Sequence, residues 1–233
     1  MLGVTKQLVV AHRGASGVAP ENTLLAFQLA YEIGADMVEL DVQQTEDGEL
    51  VCIHDYEVNR TTNGSGAVDE LSFKEIRHLD AGQGQQIPTL IEVLDFCKGK
   101  LKVNIELKVI DIEKQVLSLV HERGMISEIM LSSFLHGTLV AARSLDVDVA
   151  TAVIVSKVND GIVDYVLEIG SSALNPEFRQ VTPGLISELH RNELQVFPWT
   201  VNDSTTMAEL YNTGIDGLIT NFPDRALEVL RRK

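Results

Sequence analysis

The sequence predicts an α/β fold of the (β/α)8 barrel type, on three observations. Eight short apolar runs alternate with longer helical patterns, several of the runs end in charged or amide residues, and one connection is far longer than the rest. Eight strand-then-helix units favour a closed barrel over an open doubly wound sheet. The chain has 233 residues, which leaves little spare length in a fold that typically takes ~250.

The predicted strands are Leu8–Ala11, Met37–Asp41, Leu101–Leu107, Ile129–Leu131, Val147–Ala152, Ser172–Leu174, Gln195–Trp199 and Gly217–Ile219. Each is short and largely apolar, as a parallel strand covered on both faces must be. Helical spacing follows each strand. Leu25, Leu29 and Ile33 recur every four residues behind Asn22, whose side chain suits an N-cap. Leu90, Val93 and Leu94 begin the second helix, and Ile112, Val116, Leu119 and Val120 mark the third. Leu139, Ala142 and Leu145 follow, then Ile162, Val166 and Leu167, then Leu185, Ile186 and Leu189. Met207, Leu210 and Tyr211 mark the seventh helix, and Pro223 opens a last one running through Ala226 to Leu230.

The long connection runs from Asp41 to Pro88, and the insertion proper covers about 42–86. It opens as a hairpin, Val42–Glu46 returning as Glu49–His54 around Asp47-Gly48. The remainder is polar and Gly-rich, and an insertion of this length on a compact barrel usually serves as a lid or substrate wall. The chain is expected to form one domain, 1–233, with no linker and no internal repeat.

Composition narrows the function classes. The formal charge is −15, with 45% hydrophobic and 23% charged residues. That balance argues against a nucleic-acid binder and against docking on an anionic membrane by charge. No stretch approaches the ~18 apolar residues of a membrane span, and Met1–Gln7 lacks the pattern of a signal peptide. Cys52 and Cys97 are too few for a disulfide framework and fit no zinc spacing, so they read as two buried thiols. A cytoplasmic location is the expectation.

In a barrel of this type the active site lies where strands end and the following loops begin. The first strand runs into His12-Arg13-Gly14, the second ends in Glu39-Leu40-Asp41, and the third in Asn104-Ile105-Glu106-Leu107-Lys108. Side chains alternate along a strand, so Glu39 and Asp41 share one face, as do Asn104, Glu106 and Lys108. Charges on a strand covered on both faces are costly unless paired or metal-bound. Three carboxylates at a barrel mouth suit a hard divalent cation, Mg²⁺ or Ca²⁺; an ion-pair network in which Arg13 and Lys108 neutralise the acids is the alternative. Arg13 and Lys108 would equally hold a phosphate, which in so acidic a protein needs local positive charge. His54 ends the returning hairpin strand, so the hairpin can carry it back to the mouth beside His12. Two histidines at one site suit general acid–base chemistry, since their ordinary pKa near 6.5 permits transfer both ways. Structural histidines remain the alternative, and His78, His121, His136 and His190 are read that way. Asp55 either orients His54 or merely starts the insertion.

These residues carry a resemblance. His12-Arg13-Gly14, Pro20-Glu21-Asn22-Thr23, Glu39-Leu40-Asp41, His54-Asp55, Arg60-Thr61-Thr62 and Leu79-Asp80-Ala81-Gly82 resemble, in order, the motifs of glycerophosphodiester phosphodiesterases. So do Ile87-Pro88-Thr89-Leu90, Asn104-Ile105-Glu106-Leu107-Lys108, Trp199-Thr200-Val201-Asn202 and Thr220-Asn221-Phe222-Pro223, and the match spans nearly the whole chain. It is weakest between Ser133-Phe134 and Gln195. The resemblance implies a TIM barrel with a small insertion after the second strand, and a divalent cation held by Glu39, Asp41 and Glu106. It implies His12 and His54 as the acid–base pair, Arg13 and Lys108 on the phosphate, and Phe134 and Trp199 lining the substrate pocket. Glu21 and Asn22 carry over only as scaffold.

The implied reaction is hydrolysis of a glycerophosphodiester, such as glycerophosphocholine or glycerophosphoethanolamine, to glycerol 3-phosphate and an alcohol. The partner is then a small molecule, with no nucleic acid and no stable membrane association. A phospholipase-D-type barrel acting on lysophospholipid or sphingomyelin shares the histidines and acids, but the long hairpin insertion and the lack of an export signal count against it. A non-catalytic phosphodiester-binding barrel is the reading from another class, and the presence of both histidines counts against that.

Overall fold

The computed structural model describes residues 6–232, so Met1–Thr5 of the amino-terminal segment lie outside the described residues. The elements in chain order are β1 (Leu8–His12), α1 (Leu24–Ile33), β2 (Met37–Gln44), β3 (Leu50–Cys52), α2 (Phe73–Arg77), α3 (Leu90–Cys97), β4 (Lys102–Leu107), α4 (Glu113–Glu122) and β5 (Ile129–Ser133). They continue as α5 (His136–Leu145), β6 (Ala150–Val155), α6 (Ile162–Ile169), β7 (Ala173–Pro176), α7 (Pro183–Arg191), β8 (Gln195–Val196), α8 (Ser204–Thr213), β9 (Gly217–Thr220) and α9 (Pro223–Arg231).

Eight strands form a parallel sheet in the order β8-β7-β6-β5-β4-β2-β1-β9, and β3 pairs antiparallel with β2 as a side branch. Three backbone hydrogen bonds join the sheet's ends: Asp216 N–H to the Val196 carbonyl (3.2 Å), Ile219 N–H to Pro198 (2.9 Å) and Val201 N–H to Ile219 (2.9 Å). This is the predicted barrel. Its outer face carries Val38, Leu40, Val103 and Ile105 into one continuous core against the helices. Its interior is plugged by Val10, Met37, Met130, Ala152, Ala173, Phe197 and Ile219. The alternation read from the sequence is therefore real: at the next inward position β1, β2 and β7 place His12, Glu39 and Asn175, while β6 places Ile154. The register pairs His12 with Glu39, Glu39 with Asn104, and Asp41 with Glu106.

Some boundaries move for identifiable reasons. The fifth barrel strand begins at Ala150 rather than Val147, and Val147 is 72% exposed. The seventh ends at Val196 rather than Trp199, because Pro198 has no N–H to continue the ladder. Asn22 is not the cap of α1. Thr23 is, accepting from Ala26 N–H, while Asn22 adopts a left-handed φ of 56° and turns its side chain inward. Gly14 makes the close approach of this loop to α1 possible: a Cβ there would lie 2.6 Å from the Ala26 backbone.

The insertion folds onto its own cluster of Val51, Ile53, Val58, Val68, Ile76, Ala81 and Ile87. It includes the short α2, opened by a capping box of Ser72 and Glu75. Arg77 at the end of α2 forks onto Glu92 of α3 at 2.6 and 2.7 Å, tying the insertion to the barrel helix that follows it. Both cysteines are buried and unpaired, as expected. Among the described residues no helix is long and apolar enough to cross a membrane.

Candidate active site

The strand ends converge on a cleft lined by His12, Arg13, Glu39, His54, Glu106, Phe134 and Trp199, together with Asn104 and Asn175. Seven of the nine expected site residues thus share one cavity. Asp41 and Lys108 stand directly behind it. Lys108 Nζ lies 2.8 Å from Glu106 Oε1 and 3.5 Å from Asp41 Oδ1, and Arg13 Nε lies 3.2 Å from Asp41 Oδ2.

The three carboxylates form a single cluster. Glu39, Asp41 and Glu106 each present an oxygen, all within 4.8 Å of one another. Burial, with Asp41 and Glu106 beside it, raises the Glu39 pKa well above the ordinary carboxylate range. Burial and Asp41 likewise raise Glu106, with Lys108 opposing. The ion-pair network is realised in part: Arg13 and Lys108 do pair with the acids, yet Glu39 Oε1 and Asp41 Oδ1 remain buried without a hydrogen-bond donor. Two orphaned carboxylate oxygens, with the Asn104 amide oxygen orphaned as well, form an oxygen-only donor set of the kind a hard cation takes.

Backbone geometry sets the arginine. Arg13 has a φ of 56°, and its N–H donates to Glu39 Oε2 at 2.9 Å. Its Nη1 donates to Glu21 Oε1 at 2.7 Å. Asn22, displaced from its expected cap role, donates from Nδ2 to Asp41 Oδ2 at 2.8 Å and accepts from Asp41 N–H. The scaffold role carried over for Glu21 and Asn22 is thereby made concrete.

The two histidines differ in kind. His12 Nδ1 lies 2.6 Å from Asn221 Oδ1; an amide oxygen only accepts, so Nδ1 carries the proton and Nε2 is the basic atom. Burial, and then the charge of Arg13, push the His12 pKa down to about 4, against the pull of Asn221, Asp41 and Glu21. The Asn202 side chain steadies the partner by accepting from Asn221 N–H at 3.0 Å. His54 Nδ1 instead faces the Asp55 carboxylate at 2.6 Å. The Arg60 hydrogen bonds hold Asp55 below the usual carboxylate range, and the contact with His54 adds to this against partial burial. Asp55 therefore does orient His54. The other four histidines are engaged elsewhere, His136 with Tyr165 and the Ile154 carbonyl, His121 with Asp146, and His190 with Asp216, while His78 Nδ1 donates to the Lys74 carbonyl.

The opposite wall is apolar. Phe134 and Trp199 meet edge to face with centroids 5.5 Å apart, and Trp199 Nε1 donates to the Asn175 carbonyl at 2.8 Å. Asn175 is the residue that sequence reasoning missed. It points inward from β7 with both side-chain amide atoms unpartnered and 1% of its surface exposed. Its signal was an amide one step beyond Leu174, where an alternating strand turns inward again.

With this geometry in place, the similarities to known proteins are informative. Residues 12–225 match the glycerophosphoryl diester phosphodiesterase family. A glycerophosphodiester phosphodiesterase of Caldanaerobacter subterraneus subsp. tengcongensis is 36% identical, over 97% of this chain and 99% of its own. One of Bacillus altitudinis is 35% identical, over 95% and 97%. Among solved structures, an Oleispira antarctica phosphodiesterase in complex with the product sn-glycerol-3-phosphate superposes with a TM-score of 0.89 at 29% identity, over 97% of each chain. A glycerophosphodiester phosphodiesterase of Agrobacterium tumefaciens gives 0.86 at 30% identity, over 96% of this chain and all of its own. The match runs from the first catalytic-face histidine to the last helix, and the chain belongs to the glycerophosphoryl diester phosphodiesterase family of phosphodiester-cleaving enzymes.

Proposed function

We propose that the protein hydrolyses glycerophosphodiesters to glycerol 3-phosphate and an alcohol with the help of one divalent cation, using His12 and His54 as its acid–base pair. The observation that carries this reading is the pairing of two differently held histidines with a carboxylate cluster whose inner oxygens lack donors. The Oleispira antarctica relative, with sn-glycerol-3-phosphate bound, supports the product assignment. The whole chain acts as one catalytic unit, because the insertion supplies His54.

Glu39, Asp41 and Glu106 would hold the cation, Mg²⁺ or Ca²⁺ by the hardness of their oxygens. Such a cation supplies Lewis-acid polarisation of phosphoryl oxygens. The chain's own groups do the rest. His12, neutral with its proton fixed on Nδ1, takes the proton of the glycerol 2-hydroxyl at Nε2. The 2-oxygen bonds to phosphorus as the phosphorus–alcohol bond breaks, and His54 gives its Nε2 proton to the departing alkoxide. His54 enters this step carrying a proton on each ring nitrogen, with Asp55 accepting from Nδ1. Water then opens the cyclic phosphate: His54 accepts its proton and His12 returns one to the 2-oxygen. Arg13 and Lys108 offset charge gathering on the phosphoryl oxygens, and Phe134 and Trp199 wall the organic part.

The test is phosphorus NMR of a diester panel with chelator-stripped enzyme, with and without each cation. Glycerol 3-phosphate should appear only when Mg²⁺ or Ca²⁺ is returned, and full turnover by stripped enzyme would falsify the carboxylate-site reading. Faster release of choline from lysophosphatidylcholine than from glycerophosphocholine would move the assignment to a lysophospholipid hydrolase.

A further inference from the structure

Arg60 lies in the insertion, outside the cleft lining, yet it connects both halves of the catalytic apparatus. Its Nε donates to Asp55 Oδ2 at 2.5 Å and its Nη2 to Asp55 Oδ1 at 3.0 Å. On the other side Nη1 and Nη2 donate to the two oxygens of Glu21 at 3.0 and 2.7 Å. Glu21 also holds Arg13, which in turn holds Glu39 and Asp41. A chain of alternating charge thus runs from His54 through Asp55, Arg60, Glu21 and Arg13 to the carboxylate cluster.

From this geometry we infer that Arg60 is a positioning residue: its double fork fixes the Asp55 carboxylate, and so fixes the ring and tautomer of His54 relative to the phosphate site. This rests on the role given to His54 above. Stability alone is a poor explanation for the arrangement, because the Arg60 side chain is 49% exposed and exposed ion pairs add little. Direction is what a guanidinium fork adds and an ammonium cannot. Without Arg60, Asp55 is free to turn to water, and His54 loses the acceptor that keeps its proton on Nδ1 and presents Nε2 to the leaving oxygen. Groups that orient catalytic or metal-bound side chains in this way typically cost about 10- to 100-fold in activity when removed.

The experiment compares wild type, Arg60→Ala and Arg60→Lys on glycerophosphocholine, and reads the His54 ring by ¹⁵N NMR without substrate. Arg60→Ala should lower kcat about 10- to 100-fold with KM changed less than about threefold. Added guanidinium ion should restore at least a tenth of the lost kcat, while methylammonium should not. Arg60→Lys should stay low, since it keeps the charge and loses the fork. The His54 resonances should show a single Nδ1-protonated tautomer in wild type and a mixture in Arg60→Ala. An unchanged kcat, or a raised KM at constant kcat, overturns the proposal, the latter because Arg60 would then be touching substrate. So does a kcat loss that guanidinium leaves untouched while the unfolding midpoint drops, since Arg60 would then be a brace for the insertion. The tautomer measurement needs no turnover. If wild type cleaves no diester but the ring signature still depends on Arg60, the substrate reading fails and the positioning role stands.

Discussion

The two walls of the cleft are built on different principles. The wall from β1, β2, β4 and the hairpin is a charge lattice, in which nearly every side chain is held by another: Arg13 by Glu21, Asp41 by Asn22, Lys108 by Glu106, His54 by Asp55. The facing wall, from β5 through β9, is Phe134, Ile154, Trp199 and Ile219 with one unpartnered amide, Asn175. Preorganised charge speeds a reaction because it needs no rearrangement when charge develops. An apolar wall excludes water and selects by shape, and an unsatisfied amide within it selects by hydrogen bonding. Under the proposed function, this difference would give chemistry to one wall and recognition to the other.

That division can be broken experimentally. The largest effect should come from the charged wall: His12→Ala and His54→Ala should each lower kcat by at least ~10²-fold, with the thermal unfolding midpoint little moved. If either variant keeps near-normal kcat, that histidine belongs with the scaffold. Next in size is the nucleophile. Diesters lacking the glycerol 2-hydroxyl should react far more slowly, because a vicinal hydroxyl replaces a bimolecular attack, while choline, ethanolamine and other small alcohols should leave at similar rates. Equal kcat/KM for the 2-deoxy substrate would mean that water attacks directly. The recognition wall should respond more mildly. Asn175→Ala and Trp199→Ala should lower kcat/KM about tenfold, chiefly through KM, and a kcat loss as large as that of His12→Ala would erase the distinction between the walls.

The smallest effect sharpens the comparison through pH. Raised pKa values on Glu39 and Glu106 mean that the cation-free cluster holds protons at pH values where free carboxylates have lost them. A cation must expel those protons, so binding should release protons, and apparent affinity should rise with pH. Calorimetry in buffers of different ionisation enthalpy measures the release directly. The stability linkage has the same origin: in the cation-free protein Glu39 and Glu106 bind more protons folded than unfolded, so these two groups cost stability as pH climbs above the ordinary carboxylate range. Glu21 behaves oppositely. Despite burial, Arg60 and Arg13 lower its pKa to about 2, so its contribution is present above the unfolded value and is lost only as pH falls towards 2.

The sequence displayed the charged wall far better than the recognition wall, for a physical reason. His12, Glu39, Asp41 and Glu106 sit at the ends of strands whose apolar partners point outward, so the alternation announces which face they share. Asn175 hides between Leu174 and Pro176 in a strand too short to show its period. The Arg60 clamp was invisible because Glu21 and Arg60 are separated by 39 positions and meet only through an irregular insertion. Asn22 and Thr23 are both good capping residues, and local chemistry could not choose between them. Asp41 chose, by taking the Asn22 amide.

The insertion's private cluster carries a kinetic consequence. Val58, Val68, Ile76 and Ile87 pack with one another rather than in the main core, and segments with separate packing can open by themselves at a fraction of the global cost. The barrel would then persist, with the His54 and Asp55 carbonyls still held by Gln43 of β2, while Arg60 and the segment that carries it open away from Asp55. Amide hydrogen exchange should reveal this hierarchy, with protection in the segment around Val58 to Ile76 falling well below that of β4 and β5. On heating, turnover should fade before the barrel melts, and return on cooling, because what is lost first is the clamp that holds Asp55 against His54.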